Sequence, residues 1–131
     1  MKVRNIYSPH ILFVEAAAAD TLRAVAARMR DQDVGTLAVL DKGRLVGIIS
    51  ERDLVQALAE GIGPDEPAVP TYMTENPSTV HPDDDSAEVA TEMMNQGIRH
   101  MPVVDGDRIL GMVSIRDLLP LEAWPRSAEA S

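Results

Sequence analysis

Cysteine is absent from this 131-residue chain, which excludes a disulfide framework, thiolate metal sites and a cysteine nucleophile. Aromatic side chains are scarce. Tyr7, Phe13, Tyr72 and Trp124 are the whole set, too few to build a stacking platform for single-stranded nucleic acid. Positive charge is also short, with 12 Lys and Arg against 21 Asp and Glu and a formal charge of −9. The deficit is concentrated late: residues 68–131 carry 4 basic and 11 acidic groups, residues 1–67 carry 8 and 10. An acidic surface works against phosphate backbones and anionic lipid, both of which require clustered Lys and Arg, so neither nucleic acid nor membrane is expected as a partner. No apolar run approaches the roughly 18 residues that span a bilayer. The opening Met1-Lys2-Val3-Arg4-Asn5 leads into a mixed segment without the apolar block of a signal peptide. With 45% apolar residues, mainly Ala, Val, Ile, Leu and Met, a core can still form. The expectation is a cytoplasmic globular chain of one compact domain or two very small ones.

The chain repeats itself. Residues 34–54 (VGTLAVLDKGRLVGIISERDL) align without a gap on residues 98–118 (IRHMPVVDGDRILGMVSIRDL), an offset of 64 with eight identities in 21 positions. Further upstream the offset drifts to about 66, where Val14 answers Val80. Each copy reads as an extended segment (Ile11–Val14, Ser78–Val80), a helix from Asp20 or Asp85, a two-stranded hairpin, and a last helix after Ser50 or Ser114. The hairpin strands are Leu37–Leu40 with Leu45–Ser50, and Met101–Val104 with Ile109–Ser114. Asp41-Lys42-Gly43-Arg44 and Asp105-Gly106-Asp107-Arg108 suit the tight turns between them. In the first helix Leu22, Val25, Ala26 and Met29 form a helical stripe; in its counterpart Asp85 with Glu88 has the form of a capping pair, and Gly97 offers a stop. The expected division is a first unit over 1–62, a proline-stiffened linker over 63–70, a second unit over 71–119 and a flexible tail over 120–131. Units of about 60 residues bury too little surface alone, so the α/β copies are expected to pack sheet to sheet about a pseudo-twofold axis, leaving two related clefts.

The strongest local signal is Gly-φ-φ-Ser-x-Arg-Asp-Leu, with φ apolar, found at Gly47–Leu54 and Gly111–Leu118. Ser50 with Asp53, and Ser114 with Asp117, can each be a capping box at a helix start. They can equally be a ligand site: helix N-termini attract anions, a Ser hydroxyl bonds phosphate, and a carboxylate accepts from both ribose hydroxyls. Arg52 and Arg116 add a cation beside each, or are solvated surface residues. Spacing alone leaves both readings open.

This tandem pattern resembles a pair of cystathionine-β-synthase (CBS) domains, the β-α-β-β-α units that pair into a Bateman module. The resemblance covers roughly residues 3–119 and rests on Val34–Asp41 with Gly47–Leu54 and Ile98–Asp105 with Gly111–Leu118. It implies adenosine ligands held between the copies: AMP, ADP or ATP foremost, with S-adenosylmethionine, NAD or a cyclic dinucleotide as further members of the class. By the same resemblance Asp53 and Asp117 hold ribose hydroxyls, Ser50 and Ser114 lie near ribose and phosphate, and Ile48 and Met112 wall the adenine. Arg99 and His100, where the first copy has Gly35 and Thr36, then fit phosphate contacts, so the two sites are expected to be unequal. The bland alternative for the pair is a solvated Arg and a hydrogen-bonded His.

The implied role is a regulatory module that senses a nucleotide and signals to an unidentified protein partner, as a homodimer and not as an enzyme. The competing expectation is a ligand-free dimerisation scaffold in which both Ser-x-x-Asp elements are only caps. His10, His81 and His100 lack metal-ligand spacing, and no metal site is expected. The run Asp83-Asp84-Asp85 suits a helix start by its charge. No nucleophile–base set, Walker loop or dinucleotide fingerprint occurs. Methionines fall on apolar stripes and read as core, while Trp124 sits in the polar tail, idle or touching a dimer mate.

Overall fold

The offset of 64 carries through to the backbone. In the computed structural model, which describes residues 1–7, 13–15 and 20–118, the elements run as follows. A 3-10 turn at Val3–Asn5 precedes β1 (Phe13–Glu15), α1 (Leu22–Gln32), β2 (Thr36–Asp41), β3 (Arg44–Ser50) and α2 (Glu51–Ala59). The short α3 (Val69–Tyr72) and β4 (Thr74–Glu75) come next, then α4 (Ser86–Gln96), β5 (His100–Asp105), β6 (Arg108–Ser114) and α5 (Ile115–Leu118). Both hairpins, β2–β3 and β5–β6, slip register at matched places, between Val39 and Leu40 and between Val103 and Val104. The repeat therefore extends to a bulge no side-chain pattern announces. Among the described residues no helix is long and apolar enough to cross a membrane.

Local chemistry accounts for the element ends. Thr21, not Asp20, caps α1 by accepting from the Ala24 amide at 3.0 Å, and Asp20 lies 3.4 Å from Arg28 instead. Asp85 caps α4, accepting from the amides of Ala87 and Glu88 at 3.1 and 3.3 Å. The two helices end in matched left-handed residues, Asp33 (φ 54°) and Gly97 (φ 69°). Glycine reaches that conformation freely, and Asp is among the few other residues that tolerate it. In the expected stripe Leu22, Val25 and Met29 are buried, whereas Ala26 is exposed. The first hairpin turns through Lys42 (φ 51°) and Gly43 (φ 79°), the left-handed pair a type I′ turn demands.

The chain divides into two compact units, residues 11–77 and residues 1–10 with 78–131. In the first, β1 lies parallel to β2, and β4 adds antiparallel to the far edge of β3, giving the order β1-β2-β3-β4. Its core gathers Leu22, Val25 and Met29 of α1, Leu37, Val39 and Ile49 of the hairpin, and Leu54 and Ala57 of α2. Ala68 and Val69 complete it. The proline-rich 63–70 stretch is thus not a bare linker. The carbonyls of Glu66 and Pro64 accept from the Leu22 and Arg23 amides at 3.2 and 2.8 Å, satisfying donors that an α-helix leaves open at its start.

In the second unit β5 and β6 form the described sheet, and the expected strand Ser78–Val80 contracts to one bridging residue. Val80 donates to Pro102 O and accepts from Val104 N. Beyond it the His81 amide turns away to Asp84 Oδ2 at 2.8 Å, and Pro82 has no amide proton to offer. The core joins Val89, Ala90 and Met93 of α4 to Met101, Val103, Val113 and Leu118, and Val3 sits inside it with no exposed surface. Val3 precedes the first copy and Val69 precedes the second, 66 residues on. Each lies in the core of the other copy. Each core therefore takes in a short turn that precedes the other copy in the sequence.

Charge pairs pin both connections: Arg4 to Asp83, with Nε to Oδ1 at 2.9 Å, and Arg23 to Asp65 at 2.8 Å. Hydrogen bonds from these guanidinium groups hold both carboxyls below the usual Asp value. A depressed folded-state value means the contribution is present above the unfolded value and lost as pH falls through the folded one. The melting temperature is expected to drop as pH is lowered from about 5 to about 3, and Asp83→Asn with Asp65→Asn to flatten part of that drop. Melting curves across this range check it; an unchanged acid profile in the double variant removes these pairs from the account. The tail, Trp124 and His10 lie outside the described residues.

Candidate functional site

Strand periodicity sets the corner where each hairpin meets its last helix. Ile49 and Val113 are fully buried, so Ile48 with Ser50, and Met112 with Ser114, share the opposite face of their strands. Ile48 and Met112 are half-buried there. Helices α2 and α5 then begin at the next residue, which carries Arg52 with Asp53, and Arg116 with Asp117, onto the same corner. The structure joins Ser50 to Asp53 in one unit and Ser114 to Asp117 in the other; Ile48 and Met112 lie on the strand face that carries the Ser, and Arg52 and Arg116 are exposed on the first helical turn.

Both Ser-x-x-Asp elements form the caps their spacing allows. Asp53 Oδ2 accepts from the Ser50 amide at 2.8 Å and from Ser50 Oγ at 3.1 Å, while Ser50 Oγ accepts from the Asp53 amide at 3.4 Å. In the second copy Asp117 Oδ2 accepts from the Ser114 amide at 3.0 Å, and Ser114 Oγ accepts from the Asp117 amide at 3.3 Å. One carboxylate oxygen in each copy serves the helix. The other, Oδ1, makes no hydrogen bond among the described residues. Capping orients the carboxylate and, among the described residues, engages only its Oδ2, so the two readings of the motif are compatible.

Residues Arg99 and His100 reach the second corner through the sheet. His100 pairs with Ser114, and the Arg99 carbonyl accepts from the Ile115 amide at 2.8 Å. The first copy repeats this backbone with Thr36 paired to Ser50 and the Gly35 carbonyl accepting from the Glu51 amide at 3.0 Å. Arg99, Arg52 and Arg116 are exposed and make no ion pair among the described residues. Two features of the first corner carried no prior signal as site residues. Glu51 lies back over Gly35, where a Cβ would stand 3.1 Å from Glu51 Oε1. Gly47 lies under β4, its place for a Cβ only 2.8 Å from the Thr74 carbonyl oxygen.

The remaining polar clusters serve the fold. Asp85 caps α4, Asp84 accepts from the His81 amide, and Asp83 holds Arg4. His81 Nδ1 accepts from the Asp83 amide at 3.0 Å, and its Nε2 lies 3.4 Å from Asp105. Among the described residues no three His, Asp or Glu side chains converge to hold a metal ion. A shallow pocket of about 330 Å³ lined by Gly61, Ile62, Gly63, Glu66, Pro67, Ala68 and Thr71 sits beyond the C-terminal end of α2, away from Ser50 and Asp53, and offers no cation.

Comparison with known proteins shows the family and the fold. The family model described as "CBS domain" matches twice, over residues 3–60 and 69–122. An uncharacterized 17.7 kDa protein of Acidianus ambivalens is 39% identical over 100 residues, 75% of this chain and 60% of that protein. The chain spans less than two thirds of this relative, and 55% of a similar protein of Methanopyrus kandleri. Among solved structures, the CBS domain pair of protein MJ0100 with 5′-methylthioadenosine and S-adenosyl-L-methionine superposes at TM-score 0.82 with 28% identity, covering 92% of this chain and 94% of that one. Protein PAE2072 of Pyrobaculum aerophilum, complexed with AMP, gives TM-score 0.82 and 28% identity over 99% and 96%.

Proposed function

The chain belongs to the CBS-domain family, and from that premise we propose that it is a regulatory module that binds adenosine-containing ligands and passes their presence to a protein partner. The observation that carries this is the matched pair of corners, each with an oriented Asp carboxylate and an apolar wall on the same face. An open carboxylate oxygen is what a ribose diol needs as an acceptor, and a half-buried Ile48 or Met112 gives a base an apolar surface. Similar CBS pairs crystallised with AMP, methylthioadenosine and S-adenosylmethionine support the ligand class. Within this reading Ser50, Asp53, Ser114 and Asp117 hold ribose and its neighbours, Arg52 and Arg116 flank them, and Arg99 and His100 serve phosphate. The role is signalling and not catalysis, in the cytoplasm, and a ligand shifts the module only by preferring one of its conformations. A homodimer belongs to the same proposal; Val55 and Leu58, 66% and 53% exposed on one side of α2, are apolar surface such a contact would cover.

A second reading draws on the same hydrogen bonds. Since both Ser-x-x-Asp elements are accounted for as helix caps, the chain can be a constitutive scaffold. Thermal unfolding with adenosine, methylthioadenosine, AMP, ADP, ATP and S-adenosylmethionine separates the two. A ligand at about 100 times its Kd stabilises by roughly 2.7 kcal/mol, a rise on the order of 10 °C for a chain of this size. Asp117→Ala is expected to cut that rise sharply for a ligand at the second corner. Ser114→Ala, which removes the cap oxygen and one ligand contact but keeps the ribose acceptor, is expected to lower the melting temperature and to reduce the ligand shift less than Asp117→Ala does. No shift with any of the six at millimolar concentration decides for the scaffold.

A further inference from the structure

The two corners share a backbone but not a charge. Position 51 is Glu where the matched position 115 is Ile, and position 35 is Gly where position 99 is Arg. The hydrogen bond joining these positions is the same in both copies, 3.0 Å from Glu51 N to Gly35 O and 2.8 Å from Ile115 N to Arg99 O. What differs is what lies on it. Glu51 Oε1 and Cδ come within 3.1 and 3.2 Å of where a Cβ on residue 35 would be, so the missing side chain at Gly35 is the seat of the Glu51 carboxylate. The first turn of α2 therefore carries two carboxylates, Glu51 and Asp53, against Arg52. The corresponding residues of the second copy are Ile115, Asp117 and Arg116, one negative and one positive.

A helix start favours one negative group near its open amides, and a second anion there meets repulsion from the first. Resting on the ligand-binding reading above, we propose that Glu51 makes the first corner select adenosine ligands whose 5′ group is uncharged or cationic and discriminate against 5′-phosphorylated ones. Asp53 serves the ribose in either case, because its acceptor oxygen does not depend on the 5′ substituent. Glu51 is the specificity residue: it sits one position after Ser50, with its carboxylate over Gly35, where the second copy carries Arg99. The second corner, with Ile115 in that place, carries no such penalty.

The test is isothermal titration of the full chain with two ligands that share the adenosine and differ at the 5′ position, AMP and 5′-methylthioadenosine. Asp117→Ala is present throughout, to remove the ribose acceptor of the second corner. Glu51 is exposed, so Glu51→Gln and Glu51→Ile leave the core untouched. With Glu51 present, methylthioadenosine is expected to bind more tightly than AMP. Both substitutions are expected to raise AMP affinity about tenfold, the size of one nearby charge at a partly solvated site, and to leave methylthioadenosine within about twofold. An equal change for the two ligands, or none for AMP, overturns the role of Glu51 while ligand binding stands. If neither ligand binds with or without Glu51, the first corner is not a ligand site and the inference falls; titration of the chain with Asp117 intact then decides whether the ligand-binding reading falls with it.

Discussion

Val3→Asp is expected to unfold the unit built on the second repeat, although residue 3 precedes the first. Val3 has no exposed surface and packs in the core with Val80, Val89, Met93, Met101 and Leu118. A carboxylate there has no partner among those side chains, and removing an unpaired charge from water costs several kcal/mol. That is a large share of the 5–15 kcal/mol typical of a whole domain. Val3→Ala, which only leaves a small cavity, is expected to cost about 2 kcal/mol. Met94→Asp is the control, since Met94 is 57% exposed. Amide exchange locates the effect: protection is expected to collapse first over α4, β5 and β6. A Val3→Asp chain that melts with the wild type would show that the amino-terminal turn is not part of that core.

The second large effect is expected at Gly47. A Cβ on this residue would stand 2.7 Å from Met73 Sδ and 2.8 Å from the Thr74 carbonyl oxygen. The thioether can swing aside, because Met is unbranched and flexible. The carbonyl cannot, because Thr74 is in β4 and is held to Ile48 by the strand pairing itself. Gly47→Val must therefore push β4 off the edge of β3, and with it the adjoining α3, whose Val69 fills the first core. Strain of this kind costs about 1–3 kcal/mol, with the lost β4 pairing in addition. Gly47→Ala is expected to give a smaller loss of the same sign. Denaturant melts with unchanged slope and a lowered midpoint would support the argument; a midpoint equal to wild type for the valine variant would refute it.

The hairpins and the caps were legible in the sequence because each has a local cause. Alternating apolar residues, a turn with Gly43 or Gly106, and a Ser three residues before an Asp act over a few positions, and the 64-residue repeat supplies each signal twice. Features with a distant cause were not legible. Thr74–Glu75 is too short and too exposed to announce a strand, and its place is decided by the bare edge at Gly47. Nothing in the neighbourhood of Val3 or Val69 tells which of two cores each will enter. Thr21 displaced Asp20 as the cap because the helix starts one residue later than charge suggests. At the corners, the residue types and their adjacency could be read from spacing. That one oxygen of each Asp is committed to the helix, and that Glu51 rests on Gly35, depends on side-chain positions which spacing does not contain.

The crossed placement of the short turns bears on the order in which a ribosome can complete the molecule. The first-copy unit needs nothing beyond residue 77, so its core, Val69 included, can close while the rest is still being made. The Val3–Asn5 turn must wait longer: Arg4 meets Asp83 across a separation of 79 positions, and the core that holds Val3 also needs Val113 and Leu118. Pairings this distant form late and slow the final step of folding. Until then Val3 is apolar surface on a nascent chain, and its docking completes the second core.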